Sequence, residues 1–300
     1  MRRRSRLGLI AALLLALNGE GAAEDSGFIG RFVWRSDQVK FGGYSSIDLR
    51  DGGARFIAVT DRGWWSHGRL IRDAQGRITG IDAAPQARLK NTDGKPLRGY
   101  PSDAEGLAVA PDGTAFLSFE GPARVWRFPG GLDGLPEPLP SPREFAAMPK
   151  NEGLEALAIG PDGALYTLPE DSRSTRPFPL YRFRDGKWDV AFRISRAGLY
   201  VPVGADVGPD GRLYVLERAF TSPLTGFSSR IRRFDLSSTG ETAGETLLVT
   251  PHFRFGDLEG ISVWRDAANG LRATMIADDN FSMFLSTEIV EYRLPDQAVH

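Results

Sequence analysis

The chain has 300 residues, 41% of them hydrophobic and 25% charged, enough apolar material for one large core or two small ones. It contains no cysteine, which excludes disulfides, thiolate catalysis, Cys-based metal sites and acylation at a lipobox. With 37 basic against 38 acidic residues it lacks the positive excess of a nucleic-acid binder, and its 35 glycines and 20 prolines favour a turn-rich, all-β chain.

The first predicted element is not part of the fold. MRRRSR is basic, Leu7 to Leu17 is an apolar run of 11 residues, and Gly21 to Ala23 offers small residues for cleavage. That order describes a signal peptide over residues 1–23, and the apolar run is too short to span a bilayer as a helix. The expected mature chain, 24–300, is a single domain exported to a bacterial periplasm or beyond, with no integral membrane segment. The leader carries four arginines and one glutamate, so 33 basic and 37 acidic residues remain, a net charge of −4.

The mature chain opens with FIGRFVWR (Phe28 to Arg35), a strand-like alternation. A hairpin unit then recurs. It begins as SSIDLRDGGARFIAVTDRG from Ser45 and returns as EGLAVAPDGTAFLSFEG from Glu105 and EALAIGPDGALYTLPE from Glu155. DVGPDGRLYVLER from Asp206 and EGISVWRDAANGLRATMIADDN from Glu259 complete the series. Successive starts lie roughly fifty to sixty residues apart, the length of one four-stranded propeller blade. Each unit is a short apolar strand, a turn and a second apolar strand. Pro-Asp-Gly makes that turn because proline presets φ, aspartate bonds its own backbone and glycine accepts positive φ.

Half-exposed outer strands follow each hairpin: RVWRF from Arg124, PLYRFRDGKWDVAFRIS from Pro179, SRIRRFDL from Ser229 and EIVEYRL from Glu288. The expectation is an all-β propeller of five blades, with six as the alternative if residues 63–101 hide another. The strand from Phe28 joins the last blade and closes the ring, which removes an open sheet edge. Pro129 to Phe145, rich in proline and glycine, reads as a surface connection inside the second unit.

In a propeller the first strand of each blade is innermost, and its start lies beside the end of the second. Glu105 and Glu120 therefore share one mouth of the channel with Glu155 and Glu170. Glu259 is joined there by Asp278 and Asp279, Asp61 lies opposite Ser45, and Glu217 comes from the fourth unit. Converging carboxylates repel unless a cation neutralises them or some stay protonated, and hard oxygen donors suit Ca²⁺ or another divalent cation. The alternative for any one acid is that it solvates a hairpin end or bonds a nearby N–H; recurrence in register argues for the set. The register has flaws. In the fourth unit the position of Glu105 falls on Val203, Asp206 faces the other way, and Glu217 is one residue closer to its turn than Glu120.

Loops after the second strands open on the same mouth. They bring Arg62, Arg173 and Arg218 as candidate binders of an anionic substrate, with Arg176, and Trp64, Trp65, Phe220 and Phe281 for its apolar body. His67 is a candidate general base beside Glu105 and Glu259, while His252 falls in a blade connection. No G-x-S-x-G elbow, H-E-x-x-H motif or P-loop is present.

FGGYSSIDL, DAEGLAVAPDGTAFLSFEG, NEGLEALAIGPDGALYTLPE, LYVLERAF and LEGISV with ADDNF together resemble the bacterial phytase-like family, often described as having esterase-like activity. The resemblance runs from about Phe28 to Leu294 and implies a secreted β-propeller that hydrolyses phosphoesters or carboxylesters. It matches Glu105, Glu155, Glu259, Asp278, Asp279 and the pair Glu217–Arg218; VPVGADVG, which lacks an early acid, departs from the family pattern. The expected function is a calcium-dependent hydrolase of a small anionic ester, working as a monomer. The alternatives are a non-catalytic binding propeller with structural calcium and a lactonase-like hydrolase.

Overall fold

The computed structural model describes residues 27–150, 152–170 and 173–296. The leader at 1–23 lies outside the described residues, and among those described no helix is long and apolar enough to cross a membrane. Five sheets follow one another along the chain, antiparallel except where the two-residue Glu241–Thr242 adds parallel to Lys187–Ile194 at the edge of the third. The first blade runs outward through Tyr44–Arg50, Arg55–Thr60, Trp64–Arg72 and Ile78–Ala83. The second runs through Ala104–Val109, Ala115–Phe119, Arg124–Phe128 and the two-residue Glu137–Pro138, so the proline-rich connection ends up as a vestigial fourth strand. Leu154–Ile159, Leu165–Pro169, Phe178–Arg184 and Lys187–Ile194 make the third. Val201–Val207, Leu213–Phe220, Phe227–Phe234 and Glu245–Val249 make the fourth.

The last blade starts with Asp257–Arg265, Leu271–Asp278 and Glu288–Arg293, and Phe28–Val33 pairs antiparallel with Glu288–Arg293 as its outermost strand. The N-terminal strand thus closes the ring as its sequence suggests. The six-blade alternative falls, because the residues after Gly63 supply the third and fourth strands of the first blade. The one α-helix among the described residues, Arg143–Ala146, is a single turn.

The hydrophobic core is divided into five clusters, one between each pair of neighbouring blades. The cluster of Trp34, Tyr44, Ile47, Phe56, Ile276 and Ile289 joins the last blade to the first, so closure rests on side-chain packing as well as on the added strand. Side chains also stitch inner strands together. Leu107 N–H donates to Ser46 Oγ at 3.0 Å, Leu49 N–H to Ser262 Oγ at 2.9 Å, and Val263 N–H to Asp206 Oδ2 at 2.6 Å.

Five inner strands leave little room at the axis, and two glycines show how little. A Cβ on Gly106 would lie 2.6 Å from the backbone nitrogen of Leu157 in the next blade. One on Gly260 would lie 2.7 Å from Cα of Ser46, across the closure. Gly260→Ala is therefore expected to destabilise by about 1–3 kcal/mol, because the obstacle is backbone and the neighbour cannot move aside. Gly30→Ala, whose Cβ would have its nearest neighbour at 3.8 Å, should stay within about 0.5 kcal/mol. Urea midpoints of the two variants check this, and equal midpoints would show that the axis is not tight.

Candidate functional site

Every blade has a β-bulge at the same place. Pairing between first and second strands slips by one residue between Tyr44 and Ser46, Ala104 and Leu107, Leu154 and Ala156, Pro202 and Gly204, and Leu258 and Gly260. The unpaired positions are Ser45, Glu105 with Gly106, Glu155, Val203 and Glu259. A bulge kinks its strand and re-aims a side chain. Here it brings three glutamates from three blades into electrostatic contact with one another around the channel mouth. Val203 occupies the fourth-blade position, as the sequence offset implies, and Ser45 donates instead to the carbonyl of Ala104 at 2.6 Å.

The mouth has two unlike halves. In one, Arg218 is enclosed by acids. Its Nη1 donates to Asp257 Oδ2 at 2.9 Å and Glu259 Oε1 at 2.8 Å, and its Nη2 to Glu170 Oε1 at 3.0 Å. Burial works against its charge, but Asp257, Glu259 and Glu170 outweigh burial and hold its pKa well above the ordinary arginine value. In the other half, ligand oxygens of Asp103, Glu105 and Glu120 lie within 4.8 Å of one another, as do those of Glu120, Glu155 and Glu170. Glu120 belongs to both groups. Among the described residues no arginine or lysine makes a salt bridge to Glu105, Glu120 or Glu155.

The protons follow that difference. Burial, then the charges of Glu155 and Glu259, push Glu105 well above the usual carboxylate range. Burial, then Glu170 and Glu120, do the same to Glu155, with Arg218 opposing. Glu120 is raised to about 8 by burial and by Asp103. Glu259 is raised by burial and Asp257 against the pull of Arg218. Burial raises Asp278 to about 7 and Asp61 to about 6, the first against a bond from the Asn280 N–H and the second against Arg62. Asp61 Oδ1 is buried with no hydrogen-bond partner. Asp279 is spent on structure, accepting from the Gly43 and Phe281 N–H groups, each at 3.1 Å.

Other residues singled out in the sequence land elsewhere. Glu217 is fully buried, accepting from Arg230 Nε at 2.7 Å and Arg232 Nε at 2.8 Å, and takes no part in the carboxylate groups. It pairs with Pro202 at the register position that Phe119 and Pro169 hold in the second and third blades, one residue short of Glu120 and Glu170, so its side chain turns to the opposite face. His67 is not brought to the carboxylates. It lies exposed on the third strand of the first blade, its ring stacked on Trp65 at 5.2 Å, in a separate groove with Arg50 and Asp133. Arg62 lies over the Phe281 ring at 3.2 Å, and Arg173 reaches buried Glu152 at 2.8 Å. Asp206 serves the opposite end of the channel, near Asp48, where burial raises it to about 8.

The residues missed by sequence reasoning are Asp103, Glu152 and Asp257. A signal for them exists. In three units a second acid stands two or three residues before the bulge glutamate, as Asp103–Glu105, Glu152–Glu155 and Asp257–Glu259. The spacing is two residues in the second and fifth units but three in the third, and the bulge that breaks the alternation is not visible in the sequence, so the doublet carries no constant register.

Beside the carboxylates a cleft of about 1640 Å³ opens between the third, fourth and fifth blades, and Glu170, Arg218, Asp257 and Asn280 belong to both.

A profile of the phytase-like family, described as esterase-like activity of phytase, matches residues 39–281. No curated protein matches the chain. Among solved structures the chain is similar to a calcium-binding protein, regucalcin, from Agrobacterium tumefaciens, with 11% identity and a TM-score of 0.52 over 91% of this chain and 96% of that one. It is also similar to virginiamycin B lyase from Staphylococcus aureus (12%, TM-score 0.46, 88% and 98% covered) and a gluconolactonase from Xanthomonas campestris (17%, 0.41, 80% and 69%). At such identities the likeness concerns the fold alone.

Two outcomes follow from the electrostatics. Asp61, Asp278, Glu120 and Asp206 hold their protons more tightly folded than unfolded, where such groups titrate at 3.8–4.5. The folded chain therefore carries extra protons between about pH 4 and 8. The stability they contribute is complete below that window and is lost as pH rises through it. In the presence of chelator the thermal midpoint should fall by about 5–10 °C between pH 5 and 8, and a flat profile would contradict the raised affinities. Glu217→Gln, by contrast, leaves two guanidinium groups buried without their carboxylate and should cost about 3–5 kcal/mol in denaturant unfolding at pH 7.

Proposed function

The chain belongs to the phytase-like family, and on that premise we propose that it is a divalent-cation-dependent hydrolase of anionic esters, phosphoesters first, acting at the acidic mouth of its propeller. One observation carries this reading: Glu105, Glu120 and Glu155 are gathered from two blades and, among the described residues, no arginine or lysine makes a salt bridge to them. The donor set fits such an ion. It is all carboxylate oxygen, Asp103, Glu105 and Glu120 approach within 4.8 Å of one another as do Glu120, Glu155 and Glu170, and Asp61 offers a further buried oxygen without a partner among the described residues. Hard oxygen donors suit calcium, the ion named for the Agrobacterium propeller of the same fold.

A bound divalent cation supplies Lewis acidity to an ester oxygen and makes a water easier to deprotonate. The chain's own residues do the rest. Glu105, Glu120 and Glu155, with Asp103 and Glu170 beside them, hold the ion. Glu259 is the proposed base. Its Oε1 is fixed by Arg218, which leaves Oε2 to take the proton of an attacking water. Arg218 keeps Glu170, Asp257 and Glu259 oriented and compensated, and so acts by positioning. Arg62 and Arg173, both exposed at the mouth, meet the substrate's anionic group. The proposed setting is the periplasm or the medium, with a monomer acting on a small ester.

The test uses purified protein with an aryl phosphate, an aryl ester and a lactone, each with chelator and with calcium. Calcium at one hundred times its Kd should raise the thermal midpoint at pH 8 by about 5–10 °C and much less at pH 5, where protons compete for the same oxygens. Glu105→Gln and Glu155→Gln should each weaken calcium binding at least about tenfold in calorimetry and cut turnover by about a hundredfold or more. A folded Glu105→Gln protein with unchanged calcium affinity and turnover would remove the centre. Calcium binding with no turnover of any substrate leaves the binding-propeller alternative, and turnover of the lactone alone leaves the lactonase one.

A further inference from the structure

The arginines at the mouth differ in what they already hold. Arg218 gives its donors to Glu170, Asp257 and Glu259, and Arg173 reaches Glu152. Arg62 differs from both. It is exposed on the loop that leaves the second strand of the first blade, and among the described residues its side chain makes no hydrogen bond and no salt bridge. It lies instead on a ring, its guanidinium carbon 3.2 Å from the centre of Phe281. A guanidinium seated on an aromatic face is held by the ring quadrupole, while its N–H groups, which lie in its own plane, stay free to fork onto an oxyanion. Asp61, next to Arg62 in the chain, feels the charge of Asp103, so the arginine stands on the flank of the proposed ion site.

The ring itself is fixed in place. Asn280 and Phe281 both have left-handed backbones, with φ of 49° and 48°, a conformation that costs free energy in residues with a Cβ and persists where surrounding contacts impose it. Three bonds impose it here. Asn280 N–H donates to Asp278 Oδ1 at 2.7 Å, Asn280 Nδ2 to Asp257 Oδ2 at 3.0 Å, and Phe281 N–H to Asp279 Oδ1 at 3.1 Å. Gly43 leaves the notch that the ring edge fills, since a Cβ there would lie 2.7 Å from Phe281 Cε2. Its N–H also donates to Asp279 Oδ1 at 3.1 Å, which ties the notch to the turn. The last blade thus presents a strained turn whose aromatic side chain receives an arginine from the first. We propose that Arg62 is the residue that takes the substrate's oxyanion and that Phe281 is its positioning residue, holding the guanidinium at the mouth with its donors unspent. As a statement about substrate this rests on the proposed hydrolase, whereas capture of an oxyanion does not need the reaction.

Calorimetric binding of phenylphosphonate, which has no ester bond to cleave, tests the pair with calcium present. Arg62→Gln should weaken it at least about tenfold. Phe281→Leu should weaken it about three- to tenfold, and Phe281→Tyr, which keeps a ring, less than about twofold. Because Phe281 acts through Arg62, the double variant Arg62→Gln, Phe281→Leu should bind no more weakly than Arg62→Gln alone. Thermal midpoints should stay within about 4 °C of the wild type, because both side chains are exposed. No binding by the wild-type protein, wild-type affinity in Arg62→Gln or Phe281→Leu, or losses that multiply in the double variant would overturn the assignment. Coupled losses of phenylphosphonate with no hydrolysis of phenyl phosphate would sink the hydrolase and support the pair. Hydrolysis of phenyl phosphate with a KM that neither single variant raises would do the reverse.

Discussion

Negative charges cannot be collected at the dry end of a narrow channel without something to answer them. Two unit charges a few ångströms apart interact by several kcal/mol even at a moderate effective dielectric. This protein answers the repulsion in two ways. On the side of the fourth and fifth blades Arg218 is fixed in the structure, donating to three carboxylates from its two neighbouring blades. On the side of the second and third blades Glu105, Glu120 and Glu155 meet further carboxylates, Asp103 and Glu170, and among the described residues no arginine or lysine makes a salt bridge to the three. Burial first, and then the neighbouring negative charges, make these groups hold their protons above the ordinary carboxylate range. A divalent cation would answer better, and the division between a built-in cation and an acquired one organises the whole mouth.

The ring supplies the proximity. Five inner strands pack so closely that glycine is required at Gly106 and Gly260, where any side chain would strike the neighbouring backbone. Each strand enters through a bulge, and the bulge decides which residue leaves the pleat. The five interblade cores hold this arrangement from outside, so the mouth is shaped by packing distant from it. The same construction puts every loop after a second strand on the mouth face. That is how the apolar loops around Phe220 and Phe284 come to stand beside the carboxylates, although sixty residues of chain separate them.

Glu217 and His67 mark where reading by repeat stops working. Glu217 stands at nearly the same distance from its turn as Glu120 and Glu170, yet it is fully buried between Arg230 and Arg232. One residue of offset turns a strand side chain to the opposite face, and the arginines that meet it there belong to a third strand whose partners depend on sheet pairing. His67 follows a mouth loop closely in sequence, but the third strand carries it down the blade and into another groove. Arg218 stood out in the sequence as a free fork for substrate; only the approach of the fifth blade shows that its donors are committed to Glu170, Asp257 and Glu259.

The sequence by itself determined the repeat, the propeller, the closing N-terminal strand and the gathering of Glu105, Glu155 and Glu259, because all of these follow from periodicity, turn chemistry and a constant offset within each unit, while the strand pairing after Gly63 decided for five blades over six. Tertiary structure alone decided which acids are compensated and which are not. It also brought in Asp103, Glu152 and Asp257, turned Glu217 inward and opened the cleft between the third, fourth and fifth blades. The physical reason is that local pattern fixes where a residue lies along its own strand, whereas the charge it meets comes from a neighbouring blade whose approach is set by packing between sheets.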